Sequence, residues 1–384
     1  MVNKSILIIS SFAYPHTGGV ELFTRQIAKR LFLVGCNVSL ICLNTENTIN
    51  TEKIEGVNYY RLPCFSIING RLPFPKLNRE FLDLAKEVIN INFDFVILNV
   101  KFYLLTLIGA WFSKIKNLPA ILIEHGSGHF DVNIKLLSLL GQLYEHLITY
   151  FVKITKVRFY GVSATVNQWL LHFGILASGV IYNGVDSKYQ PDISVSFKRT
   201  YKLPDEAIIV SYIGRLVEEK GVLQLKDAIQ ELLADYPNLY FMVAGDGPLK
   251  SAFVNLPERI FYVGNIEHDH VFCLLQETNI FVLPTRMKEG LPTVVLEAGS
   301  QGCAVIATPS GGIKEVIVDD RFGLLLEDSK TQTIKNALLF FIEHPEERMK
   351  CGENLRKRIQ DNFDWKISFD RLLSVVLDNT DYSC

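Results

Sequence analysis

The stretch Glu289-Gly-Leu-Pro-Thr-Val-Val-Leu-Glu297 decides the fold. The apolar run Ile280-Phe-Val-Leu-Pro284 comes just before it, and the small-residue segment Leu296-Glu-Ala-Gly-Ser-Gln-Gly-Cys303 follows. The first reads as a buried strand, the Gly-Leu-Pro as a turn, and the last as a helix. A strand that enters a Gly/Pro turn and then a helix aims backbone N–H groups at a helix N-terminus, where phosphate binds well. On this reading Glu289 lies before that terminus and Glu297 about two turns inside the helix. One acid then reaches a polar ligand beyond the phosphates and the other a group on the near side. That layout suits a nucleotide diphosphate with a sugar at its far end.

The same alternation of short β-branched runs with helical stretches extends through all 384 residues. It predicts α/β architecture with parallel sheets. Strands are expected at 6–9, 38–43, 58–61, 95–98, 120–123, 158–162 and 179–182 in the front half. In the back half they are expected at 207–213, 239–244, 260–263, 280–283, 304–307 and 323–325. The length suits two domains, each with its own doubly wound sheet. The polar segment 186–204, with Pro191, reads as the linker.

Composition narrows the class. The chain is 48% hydrophobic and 21% charged, so it can bury sizeable cores. No signal peptide is read at the N-terminus, and no run reaches the ~18 apolar residues a membrane span needs. Seven cysteines form no CxxC pair, which points to reduced thiols in a cytoplasmic protein rather than to a disulfide framework or a zinc site. Net charge is −2 but uneven: residues 1–190 hold 18 basic and 12 acidic residues (+6), and residues 191–384 hold 21 and 29 (−8). A basic front half hints at an anionic surface or acceptor. In 133–157, Lys135, Gln142, His146, Thr149, Lys153 and Lys156 form one polar stripe at spacings of 7, 4, 3, 4 and 3. The wide apolar remainder is expected to be buried, with docking into a membrane interface as the alternative.

Other strand ends carry chemistry as well. Pro15-His-Thr-Gly-Gly-Val-Glu21 joins the first strand to a helix, and Gly18 and Gly19 let backbone approach a ligand. Glu124-His-Gly126 stands at the carboxyl end of a strand, the edge where open α/β sheets bind ligands. In Gly214-Arg-Leu-Val-Glu-Glu-Lys-Gly221, Arg215 and Lys220 offer a guanidinium and an ammonium suited to a diphosphate. Gly245-Asp-Gly-Pro-Leu249 is a further glycine-rich strand end. The Asn183-Gly turn reads as structural.

Taken in order, Gly-Arg-Leu-x4-Lys-Gly, Gly-Asp-Gly-Pro-Leu and Glu-Gly-Leu-Pro-x4-Glu-Ala resemble the retaining glycosyltransferases of family 4, also called group 1. The resemblance extends to Gly18-Gly-Val-Glu21, Val162-Ser163, Asn183-Gly-Val-Asp186 and Ser310-Gly-Gly-Ile-Lys-Glu315. It implies the GT-B fold: two Rossmann-like doubly wound parallel-sheet domains facing a cleft. The first would comprise 1–187, with a return helix in 362–384 around Asp364-Trp365, and bind acceptor. The second would comprise 188–361 and bind the nucleotide sugar.

The resemblance also assigns roles. Arg215 and Lys220 would grip the donor diphosphate, Glu297 the ribose, and Glu289 the sugar hydroxyls. The backbone of Gly290, Leu291, Pro292 and Thr293 would support phosphate or sugar. Gly18 and Gly19 would lie against the phosphates, and His125 near the anomeric carbon. His125, Arg215, Lys220 and Glu289 are the catalytic candidates. Glu124 and Gly126-Ser-Gly-His129 depart from the general pattern, so His129 and Asp131 are candidates for shaping the acceptor site.

The implied reaction transfers a hexosyl group with retention from a nucleotide sugar, UDP-linked by preference. The implied acceptor is a lipid-linked glycan in bacterial surface polysaccharide assembly (O antigen, capsule or lipopolysaccharide), at the inner face of the cytoplasmic membrane. No cofactor or metal is expected, since the nucleotide sugar is a substrate and no HxH, DxD or Cys/His pattern appears at ligand spacing. No nucleic-acid partner is expected. The alternatives are a soluble enzyme on a small acceptor, such as a sugar phosphate synthase, a nucleotide-sugar epimerase, or a non-catalytic scaffold. A dinucleotide dehydrogenase is disfavoured because no Gly-x-Gly-x-x-Gly follows the first strand.

Overall fold

A computed structural model of the chain describes residues 2–16, 18–67, 70, 72–129, 135–192 and 195–378. The chain divides into two compact units, Met1–Tyr182 with Ser368–Cys384, and Asn183–Ile367. The sequence reading put the first boundary at 187 and the return at 362. The Asn183-Gly-Val-Asp186 turn goes with unit 2 because it is tied to Asp364-Trp365. Val185 forms a bridge with Asp364, and the Trp365 N–H donates to the Val185 carbonyl at 3.0 Å.

Unit 1 begins with β1 (Ser5–Ile9), α1 (Gly19–Leu33) and β2 (Asn37–Leu43). Next come β3 (Thr51–Ile54), β4 (Val57–Leu62), β5 (Cys64–Ile67), β6 (Leu72–Pro75) and α2 (Arg79–Ile89). Then follow β7 (Phe95–Asn99), α3 (Leu104–Ile115), β8 (Ala120–Glu124), α4 (Lys135–Lys153), β9 (Arg158–Gly161), α5 (Ala164–Leu171) and β10 (Gly179–Val180). Among the described residues the main sheet has the order β10-β9-β8-β7-β1-β2-β4-β3. Every pairing is parallel except β3 with β4. Residues 6–9 of β1 are buried, as a strand covered by helices on both faces requires. The order reverses between β1 and β7, which places the ligand crevice of such a sheet at their carboxyl ends.

Three strands escaped the sequence reading. β3 is the polar Thr-Glu-Lys-Ile on the exposed sheet edge. β5 and β6 form a separate antiparallel hairpin, and two prolines within β6 hide the strand pattern.

Unit 2 contains α6 (Phe197–Thr200), β11 (Ile208–Ile213), α7 (Val222–Leu232), β12 (Leu239–Ala244) and β13 (Ile260–Gly264). It continues with α8 (His268–Glu277), β14 (Ile280–Leu283), α9 (Thr293–Ser300), β15 (Ala304–Ala307) and α10 (Ile313–Val316). It ends with β16 (Leu324–Leu325), α11 (Thr331–Glu343), α12 (Pro345–Asn362) and the start of α13 (Trp365–Leu377). Its sheet runs β13-β12-β11-β14-β15-β16, parallel throughout. Numbered within the unit this is the order 3-2-1-4-5-6, whose switch point lies between β11 and β14. From Ser368 onward α13 belongs to unit 1, where Lys4 Nζ donates to the Val376 carbonyl at 3.0 Å.

Helix α4 meets the expectation of a wide buried apolar face only in part, since Ile148 and Val152 reach the core but most of its leucines do not. Ser138, Glu145, Ile148, Thr149 and Val152 face inward, Ile148 and Val152 within the apolar core, while Leu136, Leu139, Leu140, Leu143, Leu147 and Tyr150 are exposed. The expected polar stripe is split, with Thr149 buried and His146, Lys153 and Lys156 exposed. The physical reason is Lys101, a buried ammonium that draws Glu145 beneath the helix and turns the leucines out. Residues 133 and 134 of the expected helix and the Lys135 side chain lie outside the described residues. No helix among the described residues is long and apolar enough to cross a membrane.

Candidate active site

In unit 2 the switch point gathers the sequence candidates. β11 leads into Gly214-Arg215, and a single 3-10 turn over Glu218–Lys220 brings Lys220 back toward the sheet. β14 leads through Thr285 to Glu289. Lys220 Nζ donates to Glu289 Oε1 at 2.6 Å, and Thr285 Oγ1 donates to the same oxygen at 3.1 Å. The two side chains are mostly buried, with 13% and 18% exposed, so their attraction is screened less than at the surface. The backbone of this corner is fixed from behind. The Glu289 N–H donates to Ser310 Oγ at 3.1 Å, and the Gly312 N–H to the Gly290 carbonyl at 2.7 Å. Gly311 has φ +57°, and a Cβ there would stand 2.0 Å from the Glu289 carbonyl oxygen. Only glycine lets the Ser310-Gly-Gly turn press this close.

Gly290, Leu291 and Pro292 then lead into α9, which begins at Thr293 with Pro292 as N-cap. The Asn183 side chain, buried, donates to the Leu291 carbonyl at 2.7 Å and orients this turn. The Asn-Gly turn read as structural therefore also supports the site. Because α9 starts at Thr293, Glu297 lies one turn into the helix, not two. The residue is 7% exposed, and its carboxylate lies 3.4 Å from His268 Nε2. Arg215 is exposed, with its guanidinium 3.8 Å from the Met287 sulfur. The third glycine-rich end packs beneath it, since a Cβ on Gly245 would meet the Gly214 carbonyl oxygen at 1.9 Å. Unit 2 thus offers an ammonium, a guanidinium, two carboxylates and a helix N-terminus at one sheet edge.

In unit 1 the crevice between β1 and β7 holds His125 and the Gly18-Gly19 turn. His125 Nε2 lies 3.0 Å from Asn99 Oδ1, at the end of β7. Asn99 Nδ2 donates to Thr24 Oγ1 at 3.2 Å, and Thr24 in turn donates to the Val20 carbonyl at 2.7 Å. With the Asn99 amide nitrogen committed to Thr24, its oxygen faces the ring, so Nε2 carries the proton and Nδ1 the lone pair. The chain of bonds ties His125 to the first turn of α1. Phe23 also meets the ring edge-on at 4.9 Å.

Burial pushes the His125 imidazole down to about 3. It is neutral at physiological pH and acts there as a hydrogen-bonding group rather than as a proton donor. A Cβ on Gly18 would meet Glu21 Oε2 at 2.3 Å, whereas one on Gly19 meets nothing within 4 Å. Burial raises the Glu21 carboxyl above its usual value, partly opposed by a backbone hydrogen bond and by His16.

His129 belongs to a different cluster. Its Nδ1 lies 2.7 Å from Glu145 Oε2, and Lys101 Nζ lies 2.7 Å from Glu145 Oε1 and 3.7 Å from Glu124 Oε2. Glu124 also accepts the N–H groups of Lys101 at 2.9 Å and Gly126 at 3.0 Å. Lys101 and Glu145 carry no motif, and sequence reasoning missed both. Asp131 lies outside the described residues.

Comparison with known proteins follows the same division. Residues 196–358 match the model of the glycosyl transferases group 1, and residues 17–189 that of glycosyltransferase family 4. The chain belongs to the group 1 glycosyltransferases. An uncharacterized glycosyltransferase of Methanocaldococcus jannaschii is 26% identical over 96% of this chain and 99% of its own length. The phosphatidylinositol N-acetylglucosaminyltransferase gpi3 subunit of Schizosaccharomyces pombe is 24% identical, over 93% of this glycosyltransferase and 77% of that protein. Among solved structures, the sucrose-phosphate synthase of Thermosynechococcus elongatus superposes with a TM-score of 0.77 at 19% identity, covering 98% of this chain and 99% of that one. Anabaena HepE, solved with UDP and glucose, gives 0.72 at 18% identity, covering 98% and 100%. At such identities the structures speak for the fold alone, and the glycosyltransferase has the GT-B fold.

Proposed function

We propose that this glycosyltransferase moves a hexosyl group with retention of anomeric configuration. The donor is a nucleotide sugar, UDP-linked foremost, and the acceptor is anchored in a membrane during assembly of a cell-surface glycan. The observation that carries the donor reading is the Lys220–Glu289 pair at the β11/β14 switch point, beside the α9 N-terminus. Breaking the anomeric C–O bond leaves negative charge on the departing diphosphate. Lys220, Arg215 and the first-turn N–H groups of α9 stabilise that charge where it develops. Glu289 orients the sugar hydroxyls and Glu297 accepts from the ribose. The acceptor hydroxyl attacks on the face the diphosphate leaves, and its proton passes to a phosphate oxygen.

Helix α4 supports the membrane acceptor. Its leucines face outward, and Lys114, Lys116, Lys153 and Lys156 are all exposed at its C-terminal end and on the neighbouring end of α3. An apolar stripe with a basic border lies flat on an anionic bilayer. The lipid named for the fission-yeast relative points the same way.

The test is an incubation with UDP-glucose, UDP-galactose, UDP-N-acetylglucosamine and GDP-mannose, with vesicles of a bacterial lipid extract. Expected is transfer from one donor into the lipid fraction, with the anomeric NMR coupling of the donor kept in the product. An inverted product would remove the retaining mechanism. Equal transfer to soluble sugar phosphates without vesicles would remove the membrane acceptor.

A further inference from the structure

Three histidines distant in sequence meet on unit 1. His129 follows β8, His146 lies on α4, and His172 follows α5. Their ring centroids are 5.0 to 5.5 Å apart pairwise. One nitrogen from each lies within 4.8 Å of the others.

Beneath them is a built polar layer. The Glu145 carboxylate can only accept from His129, so the Nδ1 of that ring carries the hydrogen and Nε2 is the nitrogen left to bind a metal. This is the carboxylate–histidine arrangement that orients metal-binding imidazoles. Glu145, Glu124 and Lys101 are each 1% exposed. Glu145 bridges Lys101 and His129, one carboxylate oxygen to each.

We propose that His129, His146 and His172 form a three-imidazole site for a borderline divalent transition metal, zinc foremost. Glu145 is its orienting carboxylate. Zn–N bonds of ~2.0–2.1 Å in tetrahedral geometry put ligand nitrogens about 3.3 Å apart. His146 and His172 are exposed and close that gap by side-chain rotation, while His129 is held by Glu145. The fourth position opens toward a groove of about 310 Å³ lined by His146, Thr149, Tyr150, Lys153, His172 and Phe173. The ammonium groups of Lys101 and Lys153 oppose the ion, and Glu145 and Glu124 stand against Lys101. Neutral imidazoles without thiolates select zinc, copper, nickel or cobalt over magnesium or calcium. The ion ties the segment after β8, α4 and the end of α5 together, and so fixes how α4 presents its leucines. The site lies within unit 1, whereas Arg215, Lys220, Glu289 and Glu297 lie in unit 2, and it does not depend on their assignment.

The test uses the full chain, stripped with EDTA and dialysed, then titrated calorimetrically with zinc chloride and separately with magnesium chloride. Expected are one zinc per chain at micromolar affinity or tighter, no magnesium binding, and visible bands of a tetrahedral cobalt complex when cobalt replaces zinc. His146→Ala and His172→Ala, both at exposed positions, abolish the cobalt bands and weaken zinc at least tenfold. His344→Ala, at an exposed histidine elsewhere, changes neither. Glu145→Gln weakens zinc by roughly 10- to 100-fold. Absence of zinc binding by the folded wild type overturns the proposal, as does zinc binding unchanged in the His146→Ala/His172→Ala double variant.

Discussion

Helix α4 gives a quantitative test of membrane docking. Leu136, Leu140, Leu143 and Leu147 share one face and are 66%, 53%, 67% and 53% exposed. Fully burying a leucine contributes about 2 kcal/mol. Burying the exposed fraction, about 60%, contributes about 1.2 kcal/mol each, or about 5 kcal/mol for four. A helix lying in the interface wets only its lower half with acyl chains and realises about half of that, ~2.5 kcal/mol. At 1.4 kcal/mol per factor of ten, replacing all four by serine weakens partitioning by roughly 60-fold. Their outward position means that the fold loses little, so the melting temperature stays near wild type. The assay is co-sedimentation with vesicles of 30% anionic lipid at low and physiological salt. Salt should weaken wild-type binding through the lysines, at up to ~1 kcal/mol per residue near the surface. Equal sedimentation of wild type and the quadruple serine variant would refute the reasoning.

Other consequences are more local. Burial holds the His125 imidazole near 3 in the fold, against an ordinary value of 6.5. The native state therefore binds fewer protons than the unfolded chain below about pH 6.5. The stability linked to this group is present above that pH and falls as pH drops toward 3, by up to ~1.4 kcal/mol per unit. Urea unfolding from pH 7 to 4 should show a shallower decline in His125→Gln, and parallel slopes would contradict it. Lys220→Met removes a charge-assisted partner worth ~1.5–3 kcal/mol, so the Kd for the nucleoside diphosphate should rise about 10- to 100-fold by calorimetry. An unchanged Kd would exclude Lys220 from the diphosphate site. Gly311→Ala meets the Glu289 carbonyl and should destabilise unit 2 by about 1–3 kcal/mol or more.

The sequence was most legible where chemistry and local geometry coincide. The Gly-Leu-Pro turn, the Gly-Arg-Leu segment and Gly245-Asp-Gly are strand ends whose residues mark both the turn and the ligand class, and the fold brings Lys220 and Glu289 to one point. The parallel strands were visible because buried strands read as continuous apolar runs. β3 and the β5–β6 hairpin were not, because a polar edge and prolines carry no such signal. Helix α4 misled for a related reason. Periodicity shows that a helix has two faces, but not which faces inward, and here the buried Lys101–Glu145 pair shares the inward face with Ile148 and Val152 and leaves most of the leucines outside. The His129, His146 and His172 cluster has spacings of 17 and 26 residues, which match no local ligand pattern. Only the packing of α4 against the end of α5 brings them together.

The central claim is a nucleoside diphosphate held at the β11/β14 switch point. It is tested most directly by thermal denaturation with UDP, GDP, ADP, CMP and NAD, on wild type and Arg215→Ala. A ligand at 100 times its Kd stabilises the native state by ~2.7 kcal/mol. One nucleoside diphosphate, UDP foremost, should raise the midpoint, and Arg215→Ala should lose most of the rise. A folded wild type that responds to none of the five, or an Arg215→Ala variant that responds as fully as wild type, would contradict it.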